Sequence, residues 1–573
     1  MVRMTGAQAL VEMLRAEGIK YVFGNPGTTE LPFLDALQDT RDIQYINALF
    51  EGVAAGMADG YARVTQMPSF MNFHISVGVT NSIAVMYNSW RGGTPMVITS
   101  GQAPTSLQPH SPTLYSNTVN VMREYTKWAG EIVDPTNIPS IIRRAFKVAS
   151  TPPTGPVFVS LGWDALQGET DVDIVPSTRG YFRVRPDVGA TTAAAKVLAI
   201  AKNPLILIGD RVSQSPGAPL KVAEVAEQLG APVYSTSFSE VNIPSSHSHY
   251  MGTFDTSWLH RSMKERFDQA DAILAIGTDM MTQSIPTPEP PFTGPPKIVH
   301  MDCSAWDIQR SYPVSVGLLC DIHAGLEELL RALEDAMSGS DKKAARLRGE
   351  VVAQQKLKKL ENFQHRVNKK WGHSPMSPER FVVELKNALP PNALVCDDSI
   401  TIRNPLLTAI DFDTVGSLIG GRGGSLGFGM GATLGMKLAA PDVPVIGVIG
   451  DGTAMYSIQA LWTAANYNIP VTYVMCNNRG YKVLRENMAR YLTGTERESD
   501  YIGMDFHKLP LDFVKLAQAF GIEGIRVERP SDLCPAIQKA LDSGKTMVLD
   551  VILDDSFDPI RIQEDWGQWA LRR

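Results

Sequence analysis

The 573-residue chain is 44% hydrophobic and 20% charged, with a formal net charge of −7; this is ordinary globular composition with material for several cores, and the acidic balance argues against a nucleic-acid partner. Cys303, Cys320, Cys396, Cys476 and Cys534 are an odd set without metal-ligand spacing, so reduced thiols in a cytoplasmic setting are expected rather than a disulfide framework. No stretch reaches the roughly 18 uninterrupted apolar residues of a membrane span, and residues 1–6 lack the apolar core of a signal peptide.

In chain order, short runs rich in Val and Ile alternate with helical patterns. Tyr21-Val22-Phe23, Ser69-Phe70-Met71-Asn72-Phe73, Pro95-Met96-Val97-Ile98 and Pro156-Val157-Phe158-Val159 read as strands of a first unit. Pro204-Leu205-Ile206-Leu207-Ile208, Ala272-Ile273-Leu274-Ala275-Ile276 and Lys297-Ile298-Val299-His300 read as strands of a second. Val445-Ile446-Gly447-Val448-Ile449, Val471-Thr472-Tyr473-Val474 and Val548-Leu549-Asp550-Val551 belong to a third. Continuous apolar strands between helices predict parallel sheets covered on both faces, hence an α/β chain of three doubly wound domains.

Polar, Pro- and Gly-containing sequence around 173–191 and charged helical sequence over 338–377 place the cuts. The expected division is 1–175, 190–338, a helical linker over 339–376, a third domain over 377–553 and a tail over 554–573. The linker carries the longest basic run, Lys342, Lys343, Arg346, Arg348, Lys356, Lys358 and Lys359, read as the solvated face of a helix. The tail, with Phe557, Trp566 and Trp569, is expected to be a lid or a packed arm. No repeat is visible at residue level.

The most informative unit spans 445–480. One strand ends in Gly450-Asp451-Gly452, a helix follows from Ser457 to Ala465, and a second strand ends in Asn477-Asn478. Both polar clusters thus fall at strand carboxyl ends, where open α/β sheets bind ligands. Mg²⁺ takes hard oxygen donors, usually one or two from protein plus phosphate oxygens. Asp451 offers a carboxylate, Asn478 an amide oxygen and Gly480 a backbone carbonyl; Gly450 and Gly452 allow the close approach of a diphosphate. Either cluster alone is an ordinary turn; the pairing on consecutive strand ends is specific.

This spacing resembles the thiamine-diphosphate-binding signature. Gly24-Asn25-Pro26-Gly27-Thr28-Thr29-Glu30-Leu31-Pro32-Phe33 and Ser457-Ile458-Gln459-Ala460-Leu461-Trp462-Thr463-Ala464-Ala465-Asn466-Tyr467-Asn468-Ile469-Pro470 resemble the benzoylformate decarboxylases within that superfamily. The resemblance implies pyrimidine-binding, central and diphosphate-binding domains, with the active site between the first domain of one chain and the last of its partner. A dimer is then the minimal unit and a homotetramer the common assembly. It also implies the cofactors thiamine diphosphate and Mg²⁺, with cofactor contacts at Thr401, Gly424, Gly450, Gly452, Thr453 and Tyr481.

Glu51 by itself would only complement a helix dipole; the resemblance makes it the glutamate that bonds the aminopyrimidine and promotes removal of the thiazolium C2 proton. Leu426, in the run Gly420-Gly421-Arg422-Gly423-Gly424-Ser425-Leu426, matches the residue that props the bent cofactor. His74 matches an active-site histidine used for proton transfer, a task suited to its ordinary pKa near 6.5, and Thr28 stands where those enzymes have Ser. Leu114, Tyr115, Val483 and Leu484 are expected to line a mainly apolar substrate pocket.

The chain departs from the pattern at Ser284, which aligns with a second histidine and cannot relay a proton near neutral pH. The resemblance makes a non-oxidative decarboxylase of 2-keto acids with carboligase activity the leading expectation, while the missing second histidine favours its first rival. The alternatives are a carbon–carbon lyase or ligase on the same cofactor, such as a 2-hydroxyacyl-CoA lyase or an acetolactate-synthase-like enzyme, and more remotely a non-catalytic scaffold. Nothing in the central domain demands flavin.

Overall fold

The computed structural model describes residues 2–178, 183–237, 239–254, 261–281, 290–292, 296–493, 495, 497 and 499–566. Three six-stranded sheets carry the chain. The first runs Gln44–Asn47, Tyr21–Asn25, Ser69–Phe73, Met96–Gln102, Pro156–Gly162, Ala129–Ile132, with every pairing parallel. The third runs Leu418–Gly420, Leu394–Asp398, Val445–Gly450, Thr472–Asn477, Met547–Ile552, Glu523–Val527, again all parallel. Numbered along the chain, both have the order 2-1-3-4-6-5. The central sheet, Tyr250–Thr253, Val233–Ser235, Pro204–Ile208, Ala272–Ile276, Lys297–Asp302, Val316–Leu319, is parallel in the order 3-2-1-4-5-6. The expected α/β architecture of three parallel sheets is thus the observed one.

These strands form where the sequence is apolar on both faces. Met96–Gln102, Pro156–Gly162, Pro204–Ile208, Ala272–Ile276 and Met547–Ile552 are buried along their whole length, as parallel sheets between helices require. The helix expected from Ser457 starts instead at Ala460, because the Ser457 hydroxyl donates to the Gly427 carbonyl at 2.6 Å and holds that turn against the glycine-rich loop.

The first and third domains share one core. Helix Glu51–Thr65 lies against helix Phe428–Ala439, and Val53, Met57, Phe428, Met430 and Leu434 join a single buried cluster with Ile449 and Tyr473. Their backbones touch: a Cβ on Gly435 would sit 1.9 Å from the Met57 carbonyl oxygen, and one on Gly60 2.3 Å from that of Ala432. Gly435→Val should therefore force the helices apart. Overpacking costs typically ~1–3 kcal/mol, so the thermal midpoint should fall by roughly 5 °C or more. A midpoint within a degree of wild type would mean the contact does not carry stability.

A buried ion network ties in the central domain. Arg63 donates to Glu240 at 2.6 Å, to Asp59 at 3.1 Å and to the Gly420 carbonyl at 2.9 Å, and Arg422 also pairs with Glu240. The linker is a helix over Gly339–Lys369 with only Ala345, Val352, Phe363 and Val367 buried. Its basic face is not purely solvated. Arg348 donates to the Leu229 carbonyl, Lys356 to those of Ser245 and His247, and Lys359 to that of Met251, because the end of helix Ala218–Leu229, a loop and the edge strand Tyr250–Thr253 of the central domain turn carbonyls towards the linker.

The tail folds onto helix Lys482–Tyr491. Lys482 Nζ donates to the Asp554 carbonyl at 3.2 Å, Arg485 donates to that of Asp555 at 3.3 Å, and the Arg485 guanidinium lies 5.4 Å from the Phe557 ring centroid. A helix, Pro559–Trp566, ends the described tail; Trp569 lies outside the described residues. Among the described residues no helix is long and apolar enough to cross a membrane.

Candidate active site

In both the first and third sheets the strand order reverses between the first and third strands, and loops leaving there in opposite directions open a crevice at the carboxyl ends. The first crevice receives the loop after Tyr21–Asn25 and the residue after Ser69–Phe73, which is His74. Glu30 is the anchor of this cluster. It is only 1% exposed, and its carboxylate accepts the N–H groups of Gly101 at 2.7 Å and Gly27 at 2.9 Å and the Thr29 hydroxyl at 2.8 Å. The same carboxylate lies 2.9 Å from His74 Nδ1.

That contact orients the imidazole, engages Nδ1 and leaves Nε2 for another partner. Hydrogen bonding to Glu30 holds the His74 pKa above its ordinary 6.5, against the opposing effect of burial. The ring packs directly on Gly27, where a Cβ would meet it at 2.1 Å. The next residue, Ile75, is buried with φ +31°, a costly conformation for a β-branched side chain. The hydroxyl beside His74 is that of Thr29, 3.3 Å from Nδ1; Thr28 is exposed one residue earlier.

Glu51 starts the helix that packs on the third domain and is 6% exposed. Its two oxygens accept from Asn25 at 3.3 Å and Asn81 at 3.0 Å. Leu114, with φ +66°, and Tyr115 lie on a loop tied to this crevice by the Ser76 hydroxyl, which donates to the Leu114 carbonyl at 2.7 Å.

The second crevice holds Asp451, directly after Val445–Gly450, and Thr401, just inside the helix that follows Leu394–Asp398. Asp451 accepts from the N–H groups of Gly452 at 2.7 Å and Gly480 at 3.1 Å. Burial pushes its carboxyl up to about 6, although backbone N–H groups around it pull the other way. Asn478 is buried, gives its amide N–H to the Thr401 hydroxyl at 3.3 Å, and leaves Oδ1 with no partner. Arg479 turns the chain at φ +58°. Thr453 is buried; Tyr481 is half-buried with its ring edge-on to Phe506.

Among the described residues the buried Asp451 carboxylate has no ion pair and the Asn478 amide oxygen no hydrogen bond; both are costly in a protein interior, and a divalent cation would satisfy both. Among the described residues no three or more His, Cys, Asp or Glu converge, so the donor set suits Mg²⁺ with phosphate oxygens rather than an all-protein cage. The residues present therefore fit a metal–diphosphate group.

The glycine-rich loop with Gly424, φ +81°, and half-buried Leu426 is stitched to the first domain by Asn88, whose amide oxygen accepts from Gly423 and Ser425 and whose amide N–H donates to the Ser425 carbonyl. The carboxylate of Asp398 receives the Gly427 and Gly429 N–H groups at 3.1 and 2.9 Å. Val483 and Leu484 follow the Asn478 loop; Val483 faces a cavity at the central domain, and Leu484 is 43% exposed. Ser284 lies outside the described residues. No hydrogen bond or ion pair among the described residues joins the Glu51–His74 cluster to Asp451 or Asn478. Glu30, Asn25, Asn81 and Asp398 were not read as site residues from sequence; an acid inside a Gly–Pro loop carries no local signal of its burial.

Comparison with known proteins agrees with this geometry. Residues 4–123, 191–329 and 410–551 match, in turn, the N-terminal TPP binding, central and C-terminal TPP binding domains of thiamine pyrophosphate enzymes. Benzoylformate decarboxylase of Pseudomonas aeruginosa is 28% identical over 547 residues, covering 95% of this chain and 98% of that protein. A probable acetolactate synthase large subunit of Methanocaldococcus jannaschii is 29% identical over 574 residues, covering 96% and 92%. Among solved structures, the thiamine diphosphate-dependent 4-hydroxybenzoylformate decarboxylase of Rhodococcus jostii RHA1 superposes with a TM-score of 0.83 at 26% identity, covering 97% of this chain and all of that one. With all three domains matched in order, the chain belongs to the thiamine pyrophosphate enzyme family and uses thiamine pyrophosphate, also called thiamine diphosphate, as its cofactor.

Proposed function

We propose that this enzyme is a non-oxidative decarboxylase of 2-keto acids that also ligates the activated aldehyde it produces. The observation that carries the reading is the Glu30-locked His74, a positioned proton carrier at the crevice of the first sheet. Asp451, Asn478 and the Gly480 carbonyl are assigned to Mg²⁺. Gly450, Gly452, Thr453, Thr401 and Tyr481 are assigned to the diphosphate end. Glu51, Gly424 and Leu426 are assigned to the pyrimidine end. The bound cofactor supplies an electron sink for the pair left when carbon dioxide departs.

The protein's own groups then do the following. Glu51 holds and returns a proton at its carboxylate while Asn25 and Asn81 fix its position. His74 delivers a proton from Nε2 and keeps its Nδ1–H on Glu30. Thr28 is assigned to the substrate carboxylate, and Leu114, Tyr115, Val483 and Leu484 to the side chain. The two clusters are completed across a dimer, Glu51 of one subunit serving the metal cluster of the other, with a tetramer as the assembled form. Acetolactate synthases among the relatives make ligation of two keto acids the second reading. A screen of aryl and alkyl 2-keto acids against 2-hydroxyacyl-CoA esters, with products identified, separates them; turnover of the esters alone would reject the decarboxylase.

Two variants test His74. Removing a positioned acid or base costs about 10²–10⁴-fold, so His74→Ala should lose that much kcat; a loss under threefold would make the histidine only positional. Because Glu30 raises the His74 pKa, the protonated form persists above pH 6.5 and is lost as pH rises through the raised value. The alkaline limb of kcat/KM should therefore lie above 6.5 in the wild type and move towards acid in Glu30→Gln. An unmoved limb would exclude His74 as its source.

A further inference from the structure

The turn that carries Leu426 is gripped on both sides. Gly424 and Gly427 lie in the left-handed region, φ +81° and +90°, so the chain reverses before and after Ser425 and Leu426 at positions that suit glycine alone. On one flank stands Asn88, from helix Ile75–Gly92 of the first domain. It accepts from the N–H groups of Gly423 at 2.9 Å and Ser425 at 3.1 Å and donates to the Ser425 carbonyl at 2.8 Å. On the other flank the Gly427 carbonyl takes the Ser457 hydroxyl at 2.6 Å, and the Gly427 N–H meets the carboxylate of Asp398. Backbone groups of Gly423, Ser425 and Gly427 are thus all bound, and Leu426 sits between fixed neighbours.

Asp398 has an unusual set of partners. It ends the strand Leu394–Asp398 next to Asp397, and successive side chains of a strand point to opposite faces. Asp397 meets Arg403 at 2.8 Å, the ordinary compensation for a buried acid. Asp398, 2% exposed, takes backbone donors instead: its Oδ2 accepts from both Gly427, at 3.1 Å, and Gly429, at 2.9 Å. These donors open helix Phe428–Ala439, whose N-cap residue, Gly427, has no side chain to satisfy them, so the cap comes from a neighbouring strand. The approach is close. A Cβ on Gly429 would lie 2.4 Å from that of Asp398, and one on Gly427 2.5 Å from that of Tyr456. Burial lifts the Asp398 carboxyl to about 7, against the pull of the Gly429 N–H; near neutral pH it serves as an acceptor as much as a charge.

Capping a helix would require only the first contact. Here the capped residue also closes the Leu426 turn, and a side chain of another domain fixes the turn's opposite end. Helix stability accounts for neither the three Asn88 bonds nor the Ser457 bond.

We propose that Asp398 and Asn88 are positioning residues that hold the 423–427 turn in one shape, with or without cofactor, so that Leu426 stands in place as the support for bent thiamine diphosphate. The proposal rests on the assignment of Gly424 and Leu426 to the pyrimidine end. A fixed support matters because misplacing a reacting group by about 1 Å can cost on the order of 10²-fold in rate.

The test begins on cofactor-free enzyme. Amide hydrogen exchange read by mass spectrometry should run at least tenfold faster over residues 423–429 in Asp398→Ala than in the wild type. Asp398→Asn, whose amide oxygen can replace Oδ2, should recover protection to within threefold. Inorganic diphosphate with Mg²⁺ should bind all three proteins within threefold, since it fills the metal end alone. Hydrogen–deuterium exchange at C2 of bound thiamine diphosphate should slow by about 10²-fold in Asp398→Ala and recover in Asp398→Asn. Asn88→Ala removes the other clamp and should free residues 423–425 in the same way, which keeps the proposal open to refutation if Asp398→Ala does not fold. Leu426→Ala should slow C2 exchange as much while its backbone amides stay protected. Wild-type C2 exchange in Leu426→Ala would refute the pyrimidine assignment and the proposal with it. Slowed C2 exchange in Leu426→Ala beside wild-type C2 exchange, or unchanged amide protection, in the clamp variants would refute the proposal alone.

Discussion

Replacing Asp451 by alanine should abolish Mg²⁺-dependent binding of thiamine diphosphate while leaving the protein folded. Asp451 is the one carboxylate at its strand end, and the neighbouring Asn478 Oδ1 has no partner among the described residues. Loss of groups that merely orient metal ligands typically costs 10–100-fold in affinity, so loss of the carboxylate itself should exceed about 100-fold. Stability should not follow the same course. The free carboxylate is buried and its pKa is raised, which means the charged form is disfavoured in the fold without metal. The metal-free variant should therefore melt no lower than the metal-free wild type. Calorimetric titration of thiamine diphosphate with and without Mg²⁺, beside a thermal melt, decides it: unchanged affinity would remove Asp451 from the metal site, and collapse of the melt would make the loss structural.

Glu51→Gln should keep the cofactor and lose the proton chemistry. Both Glu51 oxygens accept from amide N–H groups, those of Asn25 and Asn81. Glutamine keeps the size but leaves one oxygen, so one of these asparagines must turn away from a facing NH₂ group. More important, an amide can neither take up nor return a proton at neutral pH. General acid–base contributions are about 10²–10⁴-fold, and hydrogen–deuterium exchange at the cofactor's C2 should slow by that amount, with cofactor affinity within roughly tenfold of wild type. Exchange at the wild-type rate would end the assignment. Because the first measurement reads binding and the second reads proton exchange, the two variants separate the metal end of the site from the pyrimidine end.

How much of this was legible in advance depended on whether the signal was local. Longer buried strands such as Met96–Gln102, Pro204–Ile208 and Ala272–Ile276 were read correctly because burial on both faces demands a continuous apolar run, whereas the three-residue buried strands Val233–Ser235 and Leu418–Gly420 were not read. Edge strands were missed: Gln44–Asn47 and Ala129–Ile132 have solvent on one side and mixed polarity. Leu394–Asp398 is central and was also missed, because it ends in two buried acids. Asp397 is satisfied by Arg403 and Ser399, and Asp398 by the N–H groups of Gly427 and Gly429. Ser399 and Arg403 are near in sequence, but Gly427 and Gly429 come from elsewhere in the fold, so a local reading takes the pair as surface.

By itself the sequence determined the fold class, the family and the chemical types at the two strand ends, since apolar runs and their polar terminators are properties of neighbouring residues. The tertiary structure alone decided three things. It showed that the first and third domains share one strand order, which no residue-level repeat records, because topology tolerates complete change of side chains. It turned Glu30 from a loop acid into the buried partner of His74, because the N–H groups of Gly27 and Gly101 meet only when the loop after Tyr21–Asn25 reaches across Ser69–Phe73 to the end of Met96–Gln102. And it gathered Arg266, Arg366 and Arg490 around one cavity, a convergence of charges on helices far apart in the chain, which spacing along a single element cannot encode.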